Sequence, residues 1–294
     1  MKKRTAFIGA ILSLIPFGQP LLIKTGVVLS TTGLMLSLPE TVQAGDNSYY
    51  FDRAYDKSER GDDYGAISDY TKAIEINPLD DAAYHNRGVA REKLKQCYEA
   101  IADYLRAIEI KSDRPKSYHG VGNCKSELGD FNGAISAYTK AIQINPNYQS
   151  AYYNRGIDKS NLKDYSGAIS DYTKAIEIDP NDEKAYFNRG FVKGKLKNHY
   201  GAISDYTNAI NINPQYEKAY YNRGFSKAEL KDHYGAISDY TKAIDINPNY
   251  KSAYKNRGIS KENIGDLQGA CSDWRQTIYL SPSDVAAKWV RNQC

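Results

Sequence analysis

The chain has 294 residues with 39 basic and 35 acidic side chains, which give a formal net charge of +4 at pH 7. Residues 1–44 hold four of the basic residues and one acidic residue, so the rest of the chain has a net charge of only +1. A nucleic-acid-binding protein normally presents a concentrated basic surface, and this near balance of charge argues against such a partner.

The N-terminal segment, residues 1–44, is typical of a secretory signal. It begins Met-Lys-Lys-Arg, continues through a largely apolar stretch, and ends Val-Gln-Ala before a polar region. This pattern predicts cleavage after Ala44, and a retained membrane anchor is the alternative. Pro16 and Pro20 help to break the apolar stretch into pieces that are poor membrane spans. Both alternatives export the rest of the chain, because the basic start stays on the cytoplasmic side.

After this segment, one pattern recurs seven times at a spacing of 34 residues. It is clearest as YYNRGIDKSNLKDYSGAISDYTKAIEIDP over residues 152–180. A unit of this length buries a core only by stacking on its neighbours, so the period predicts a solenoid with one long inner surface. The predicted units span residues 47–80, 81–114, 115–148, 149–182, 183–216, 217–250 and 251–284.

Each unit is predicted to be a helical hairpin. The fourth residue is Tyr and the twentieth is Ala in all seven units, while the eighth is Ala or Gly and the twenty-fourth is Tyr or Trp. Small residues at the eighth and twentieth positions allow two helices to approach closely. Pro at the thirty-second position of six units stops the second helix. Apolar residues at helical spacing flank a short polar turn between the two helices.

This combination of length and residue types resembles the tetratricopeptide repeat family, and the resemblance covers about 238 of the 294 residues. The recurring phrases NRG, GAISDYTKAI and INP are most similar to exported bacterial members, in particular cyanobacterial ones. The resemblance implies an all-α solenoid, a right-handed superhelix of helical hairpins. It also implies that residues 285–294 form a short capping helix.

Two positions predict an ion pair within each hairpin. The seventh residue is Arg in six units and the twenty-third is Asp in the same six, whereas unit three has Val121 and Ala137 there. Loss of both partners together indicates a structural pair between the two helices, since one partner alone would leave a buried charge. The predicted pairs include Arg155 with Asp171, Arg189 with Asp205, and Arg223 with Asp239.

The eleventh residue of every unit is basic. One interpretation is an anion-binding stripe along the solenoid. The other has the alkyl stem packed against the unit and the charge reaching water or a nearby carboxylate, which is ordinary behaviour for lysine and arginine. We favour the second interpretation.

The functional surface is expected on the first helices, which line the concave side in this family. The sixth residue is Asn in five units, and a carboxamide complements a peptide backbone because it offers two donors and an acceptor. A similar asparagine ladder lines the groove of protein O-GlcNAc transferases. The alternative is that these residues are merely solvated polar positions. The predicted ladder consists of Asn86, Asn154, Asn188, Asn222 and Asn256.

Aromatic residues at the fifth and ninth positions favour a binding groove beside the ladder, strongest in units four to six. Lys184 and Lys218 each follow a ladder asparagine by one unit, as in the clamp by which some family members hold a terminal carboxylate. That clamp needs a further basic residue where Asn222 stands, so a carboxy-terminal ligand is not favoured. The aromatic groove residues are Tyr153, Phe187, Phe191, Tyr221 and Phe225.

Four cysteines follow the N-terminal segment. In an oxidising compartment they are expected to pair as Cys97 with Cys124 and Cys271 with Cys294. The alternative is four small buried thiols. The four histidines recur in pairs about one repeat, or about 10 Å, apart, which is too far to bind one metal ion. We therefore expect no metal and no cofactor.

Together these features predict a non-enzymatic scaffold for protein–protein interaction. It would be a monomer in the periplasm or outside the cell, or tethered to the membrane by residues 5–38, and would hold an extended segment of a partner protein. The alternative is a structural spacer or an accessory subunit of an envelope assembly or enzyme complex. Neither a phosphate-binding loop nor a nucleophile placed with His and carboxylate is recognisable in the sequence.

Overall fold

The computed structural model describes residues 41–280 and 284–294, which form fifteen α-helices and no strand. Residues 1–40 of the predicted signal lie outside the described residues. The first helices of the seven units are α1 (Thr41–Glu59), α3 (Asp81–Lys93), α5 (Pro115–Glu127), α7 (Gln149–Asn161), α9 (Glu183–Lys195), α11 (Glu217–Glu229) and α13 (Lys251–Asn263). The second helices are α2 (Asp63–Ile76), α4 (Cys97–Ile110), α6 (Phe131–Ile144), α8 (Tyr165–Ile178), α10 (His199–Ile212), α12 (His233–Ile246) and α14 (Leu267–Leu280), and α15 (Asp284–Gln293) follows them.

The helix ends follow from local sequence. Asp164 caps α8, because its carboxylate accepts a hydrogen bond from the Gly167 amide at 3.0 Å. The same helix ends at Ile178, and Asp179 is extended with φ −127° because it precedes a proline. The second helices α2, α6, α10 and α12 repeat this arrangement, whereas α4 of unit two has neither the side-chain cap nor the proline.

The turn between the two helices of a unit requires a left-handed residue at its fifteenth position. Gly61, Gly129 and Gly265 occupy it in units one, three and seven with φ of 81° to 86°. Lysine occupies it in the other four units with φ of 60° to 67°. A residue with a Cβ is strained in this region, so the four lysines are held there by the surrounding helices. They are Lys95, Lys163, Lys197 and Lys231.

We therefore predict that Lys197→Gly stabilises the protein. The backbone strain at Lys197 would be relieved, and the extra entropy of glycine in the unfolded chain offsets part of that gain, leaving about 0.5 kcal/mol. Denaturant unfolding of the variant beside the parent chain measures the difference. The reciprocal change Gly129→Lys should destabilise by a similar amount, and destabilisation by both changes would refute the strain argument.

Close packing within a hairpin depends on the small residue at the eighth position. A Cβ built on Gly156 would lie 2.8 Å from Cε1 of Tyr172, the aromatic residue at the twenty-fourth position. Tyr172 and Ala168 are themselves buried between the helices. The hairpin core is therefore a ring seated on a bare stretch of backbone, as the pattern of small residues predicted.

The first helices form the inner side of the stack. First helices of neighbouring units approach one another, as α3 approaches α5 and α9 approaches α11, whereas neighbouring second helices make no comparable approach within the described residues. A stack in which one layer is closer together curves toward that layer. The first helices consequently line the concave face. Among the described helices, none combines the length and the apolar character needed to span a membrane.

The predicted Arg–Asp ion pairs are present, and each belongs to a larger network of side chains. In unit five, Arg189 Nη2 and Nε lie 2.7 Å and 3.0 Å from the two carboxylate oxygens of Asp205. Lys193, at the eleventh position, lies 2.8 Å from Asp205 Oδ2. Arg189 Nη1 also donates to Thr173 Oγ1 of unit four at 3.0 Å, so one guanidinium links three helices. Corresponding Arg–Asp pairs join Arg53 to Asp69, Arg87 to Asp103, Arg155 to Asp171, Arg223 to Asp239 and Arg257 to Asp273.

Unit three shows what replaces the pair. Val121 and Ala137 are both buried in an apolar contact region. Lys125, at the eleventh position, has no buried carboxylate to meet and lies 3.3 Å from Asp130 at the following turn. In the other units the basic residue at the eleventh position pairs with the buried aspartate. This favours the interpretation in which the charge meets a nearby carboxylate over an anion-binding stripe.

One of the two expected disulfides is present. Cys271 and Cys294 are bonded with an S–S distance of 1.98 Å, which ties α15 to α14, and Trp289 packs on Trp274 at 5.3 Å. The expected Cys97–Cys124 bond was wrong for this structure, which holds both residues as buried thiols. The two thiols nevertheless lie in contact within one buried apolar cluster, so the expected proximity is present without the bond.

Candidate functional site

The ladder asparagines connect neighbouring units. Asn188 Nδ2 donates to the Tyr153 hydroxyl at 2.9 Å, and Asn256 Nδ2 donates to the Tyr221 hydroxyl at 3.0 Å. In both cases the acceptor is the fifth residue of the preceding unit. The sequence interpretation missed this role, because donor and acceptor are 35 residues apart in the chain.

Two ladder asparagines face a phenylalanine of the preceding unit and therefore bond elsewhere. Asn222 faces Phe187, which has no hydroxyl, and its amide turns instead to the Lys218 carbonyl of its own helix at 2.8 Å. Asn86 likewise faces the hydroxyl-free Phe51 and bonds to the hydroxyl of Tyr70. The amide therefore bonds to the fifth residue of the preceding unit where that residue is Tyr.

Asn154 meets a different pair of partners because unit three has His119 at the fifth position. Its Nδ2 atom lies 3.0 Å from His119 Nε2 and 3.0 Å from Asn123 Oδ1. The hydrogen bonds of Asn188 and Asn222 use the amide nitrogen, and within the described part of the chain their carboxamide oxygens have no donor and are not buried. These two ladder residues thus present unpaired acceptors at the groove.

The predicted aromatic residues divide into a floor and walls. Phe187 and Tyr221, at the fifth position, are half-buried, and the Phe187 ring packs on Tyr206 and Tyr216 at centroid distances of 5.6 Å and 5.0 Å. Tyr153, also half-buried, packs on Tyr172 at 6.0 Å in unit four. Phe191 and Phe225, at the ninth position, stand 40% and 43% exposed. Large apolar side chains at this exposure on a concave face are typical of a binding groove.

Two apolar clefts separate these walls. The first, of about 220 Å³, lies between α9 and α11 and is lined by Phe191, Tyr206, Tyr221, Asn222 and Phe225. The second, of about 230 Å³, lies between α11 and α13, where the apolar walls are Phe225 and Ile259 and the polar rim includes Glu229, Lys231 and His233. Each cleft has the size of a large apolar side chain. They lie in units five to seven, slightly beyond the predicted units four to six.

The two predicted clamp lysines do not form a joint site. Lys184 and Lys218 are exposed, and within the described residues neither lies within salt-bridge distance of a carboxylate. No hydrogen bond joins either side chain to Asn154 or Asn188. They contribute positive charge at the rim of the groove.

A polar cavity of about 450 Å³ lies on the concave face between units two and three. Sequence interpretation did not predict it, although the irregular unit three was its signal: Gly120 stands where five of the other units have Asn, and the Tyr104 ring packs against its bare backbone. Glu92 forms part of the floor and accepts hydrogen bonds from the Tyr104 hydroxyl at 2.6 Å and from Asn123 Nδ2 at 3.0 Å. Its partners are therefore neutral donors.

The histidines of this cavity are neutral at physiological pH. Burial lowers the pKa of His85 to about 4, and burial lowers the pKa of His119 to about 4 as well. His85 Nδ1 lies 2.9 Å from Ser117 Oγ, which fits a neutral ring. The described residues include no group of three or more histidine, cysteine or acidic side chains placed to hold a metal ion.

Comparison with known proteins identifies the same repeats. Profiles described as "Tetratricopeptide repeat" match residues 81–114, 150–182, 183–216 and 217–250, and one described as "TPR repeat" matches residues 122–157. These matches together cover more than half of the chain. No curated protein matches the chain significantly.

Several solved structures are similar. YrrB, described as a TPR protein with an unusual peptide-binding site, is 27% identical with a TM-score of 0.56, and the match covers 63% of this chain and 95% of YrrB. MamA is 26% identical with a TM-score of 0.55 and coverages of 61% and 96%. A tetratricopeptide repeat protein from Parabacteroides merdae shares the fold at 20% identity, with a TM-score of 0.60 and coverages of 84% and 98%. The repeats, the packing and these matches show that the chain belongs to the tetratricopeptide repeat family.

Proposed function

We propose that this protein is a non-enzymatic scaffold that holds an extended segment of a partner protein along its concave groove. The observation that carries the proposal is the row formed by the unpaired oxygens of Asn188 and Asn222 beside the two apolar clefts. An extended peptide offers backbone N–H groups to such a row and side chains to such clefts. The description of YrrB as peptide-binding supports the same use of a similar structure.

The spacing of the repeats suits an extended chain. Neighbouring helices lie about 10 Å apart and an extended chain rises about 3.3 Å per residue, so one ladder residue would meet about every third residue of the ligand. Contact through backbone groups leaves the intervening side chains free. The groove would therefore accept a family of sequences, with selectivity supplied by the two apolar clefts.

We further propose that the scaffold is exported. The basic and apolar pattern of residues 1–44 supports this, and so does the Cys271–Cys294 disulfide, because structural disulfides persist in oxidising compartments. Mass spectrometry of the protein recovered from a fractionated bacterial culture tests it. An N-terminus at Gly45 in the periplasmic or extracellular fraction is expected, and a full-length chain in the cytoplasm would contradict export.

Selection from a random peptide library displayed on phage tests the peptide-binding proposal. The full chain should enrich sequences with two apolar residues about three positions apart, one for each cleft. The matched control is the variant with both Phe191→Ser and Phe225→Ser, which keeps the hairpin core intact and should lose that enrichment. Enrichment of the same sequences by both proteins would contradict the proposed groove.

A further inference from the structure

A carboxylate occupies a buried, otherwise uncharged slot in unit four. The tenth residue of a unit packs against the preceding hairpin, and units two, three, five, six and seven have Ala90, Cys124, Val192, Ser226 and Ser260 there, all buried. Unit four has Asp158, which is 0% exposed. Stacking does not require an acidic residue at this position. Its presence there is a cost to stability unless something compensates its charge.

The hydrogen bonding of Asp158 is incomplete. Its Oδ1 atom accepts from Ser126 Oγ at 2.7 Å, whereas its Oδ2 atom is buried and has no partner. Burial raises the pKa of Asp158 above its usual value. The basic residues nearest in sequence are engaged elsewhere, since Lys125 lies 3.3 Å from Asp130 and Lys159 lies 2.8 Å from Asp171. Within the described residues, no cation reaches Asp158.

Asp158 forms part of the wall of a concave cleft of about 240 Å³ between α5 and α7. Glu127 provides a second carboxylate, and its cationic partner Lys95 is an exposed residue that lies 2.9 Å away on the side of unit two. No basic side chain lines the cleft. Ile157 provides an apolar surface beside the two acids. The remaining lining residues are Asn123, Ser126, Tyr138 and Asn154.

We propose that this cleft takes the lysine or arginine side chain of a bound segment, with its alkyl stem on Ile157 and its charged head between Glu127 and the wall that contains Asp158. This inference rests on the proposed peptide-binding function and adds the charge of the ligand to it. A cation held in a partly buried site interacts strongly with nearby carboxylates, and Asp158 has no other cation while Glu127 shares its charge with the exposed Lys95. It would also compensate the charge that the fold leaves unpaired.

The position of the cleft gives the ligand a register. It lies two units from the first apolar cleft and three units from the second, at about 10 Å per unit. With an extended rise of about 3.3 Å per residue, a basic residue would stand about six positions from one apolar residue and about nine from the other. The preferred segment is therefore basic at one end and apolar at the other.

The same phage selection, run on the full chain and on Asp158→Val, tests the inference. Valine is the residue that unit five has in this slot, and Asp158→Asn, which removes the charge at nearly constant shape, serves as a second variant if valine prevents folding. Asp56→Val is the matched control, because Asp56 is also a tenth residue but is exposed. The parent chain and the control should enrich a basic residue about six positions from the apolar pair, and Asp158→Val should enrich the apolar pair alone.

Affinity measurements on one selected peptide complete the test. Replacing its lysine by norleucine should weaken binding to the parent chain roughly tenfold and binding to Asp158→Val less than about twofold. Apolar enrichment without a basic residue, or a basic preference unchanged in Asp158→Val, would overturn the inference and leave peptide binding standing. Enrichment of no sequence by the parent chain would overturn both.

Discussion

Asp205→Ala is expected to lower the free energy of unfolding by about 3 to 5 kcal/mol, the cost of breaking a buried ion pair from one side. Asp205 is 1% exposed and is the only carboxylate within 4 Å of both Arg189 and Lys193 in the described residues. Its loss leaves two cations at the hairpin interface. Arg189→Val should cost less than Asp205→Ala, because Asp205 keeps Lys193 as a partner.

Replacing both partners should recover most of the loss. The double variant Arg189→Val with Asp205→Ala recreates the arrangement of unit three, where Val121 and Ala137 are buried together. Lys193 would then turn toward solvent, as Lys125 does toward Asp130. Urea unfolding of the two single variants and the double variant gives the coupling energy directly. A double variant that is destabilised by the sum of the single effects would rule out a paired role.

Phe225→Ala is expected to weaken binding of a selected peptide by about thirtyfold, the effect of losing about 2 kcal/mol at an interface hot spot. Phe225 is the one side chain that lines both apolar clefts, so its removal opens both at once. Because Phe225 is 43% exposed, its truncation should change stability far less than it changes affinity.

Tyr234→Ala is the control for this prediction. Tyr234 lies in the same unit, is aromatic, and is 73% exposed, but it stands on the second helix α12 and away from the concave face. Fluorescence anisotropy with a labelled peptide should give the parent affinity for this variant. Equal losses for Phe225→Ala and Tyr234→Ala would mean that the ligand does not use the clefts.

Features that recur in most units were predictable from the sequence. The hairpin, the ring seated on glycine and the Arg–Asp pair each depend on contacts within one unit, so the repeat shows them several times over. The loss of Arg and Asp together in unit three was enough to predict their contact. The turn lysines were not recognised as left-handed, although Gly129 and Gly265 at the same position carried that signal.

Features that depend on the geometry between units were not predictable. The hydrogen bond from Asn188 to Tyr153 needs the distance between neighbouring first helices, which no spacing within a unit provides. The Cys97 and Cys124 thiols lie in contact, as their positions in neighbouring units predicted, but they are not bonded to each other. Asp158 was overlooked because its slot is visible only once the units are stacked.

Photo-cross-linking within unit five tests the central claim most directly. Phe191 on the first helix and Tyr200 on the second are both exposed aromatic residues, at 40% and 77%. Each is replaced in turn by benzoylphenylalanine in the full chain, and the protein is irradiated with a selected peptide. Binding in the concave groove predicts a cross-linked product from position 191 and none from position 200. A product from position 200 alone would contradict it.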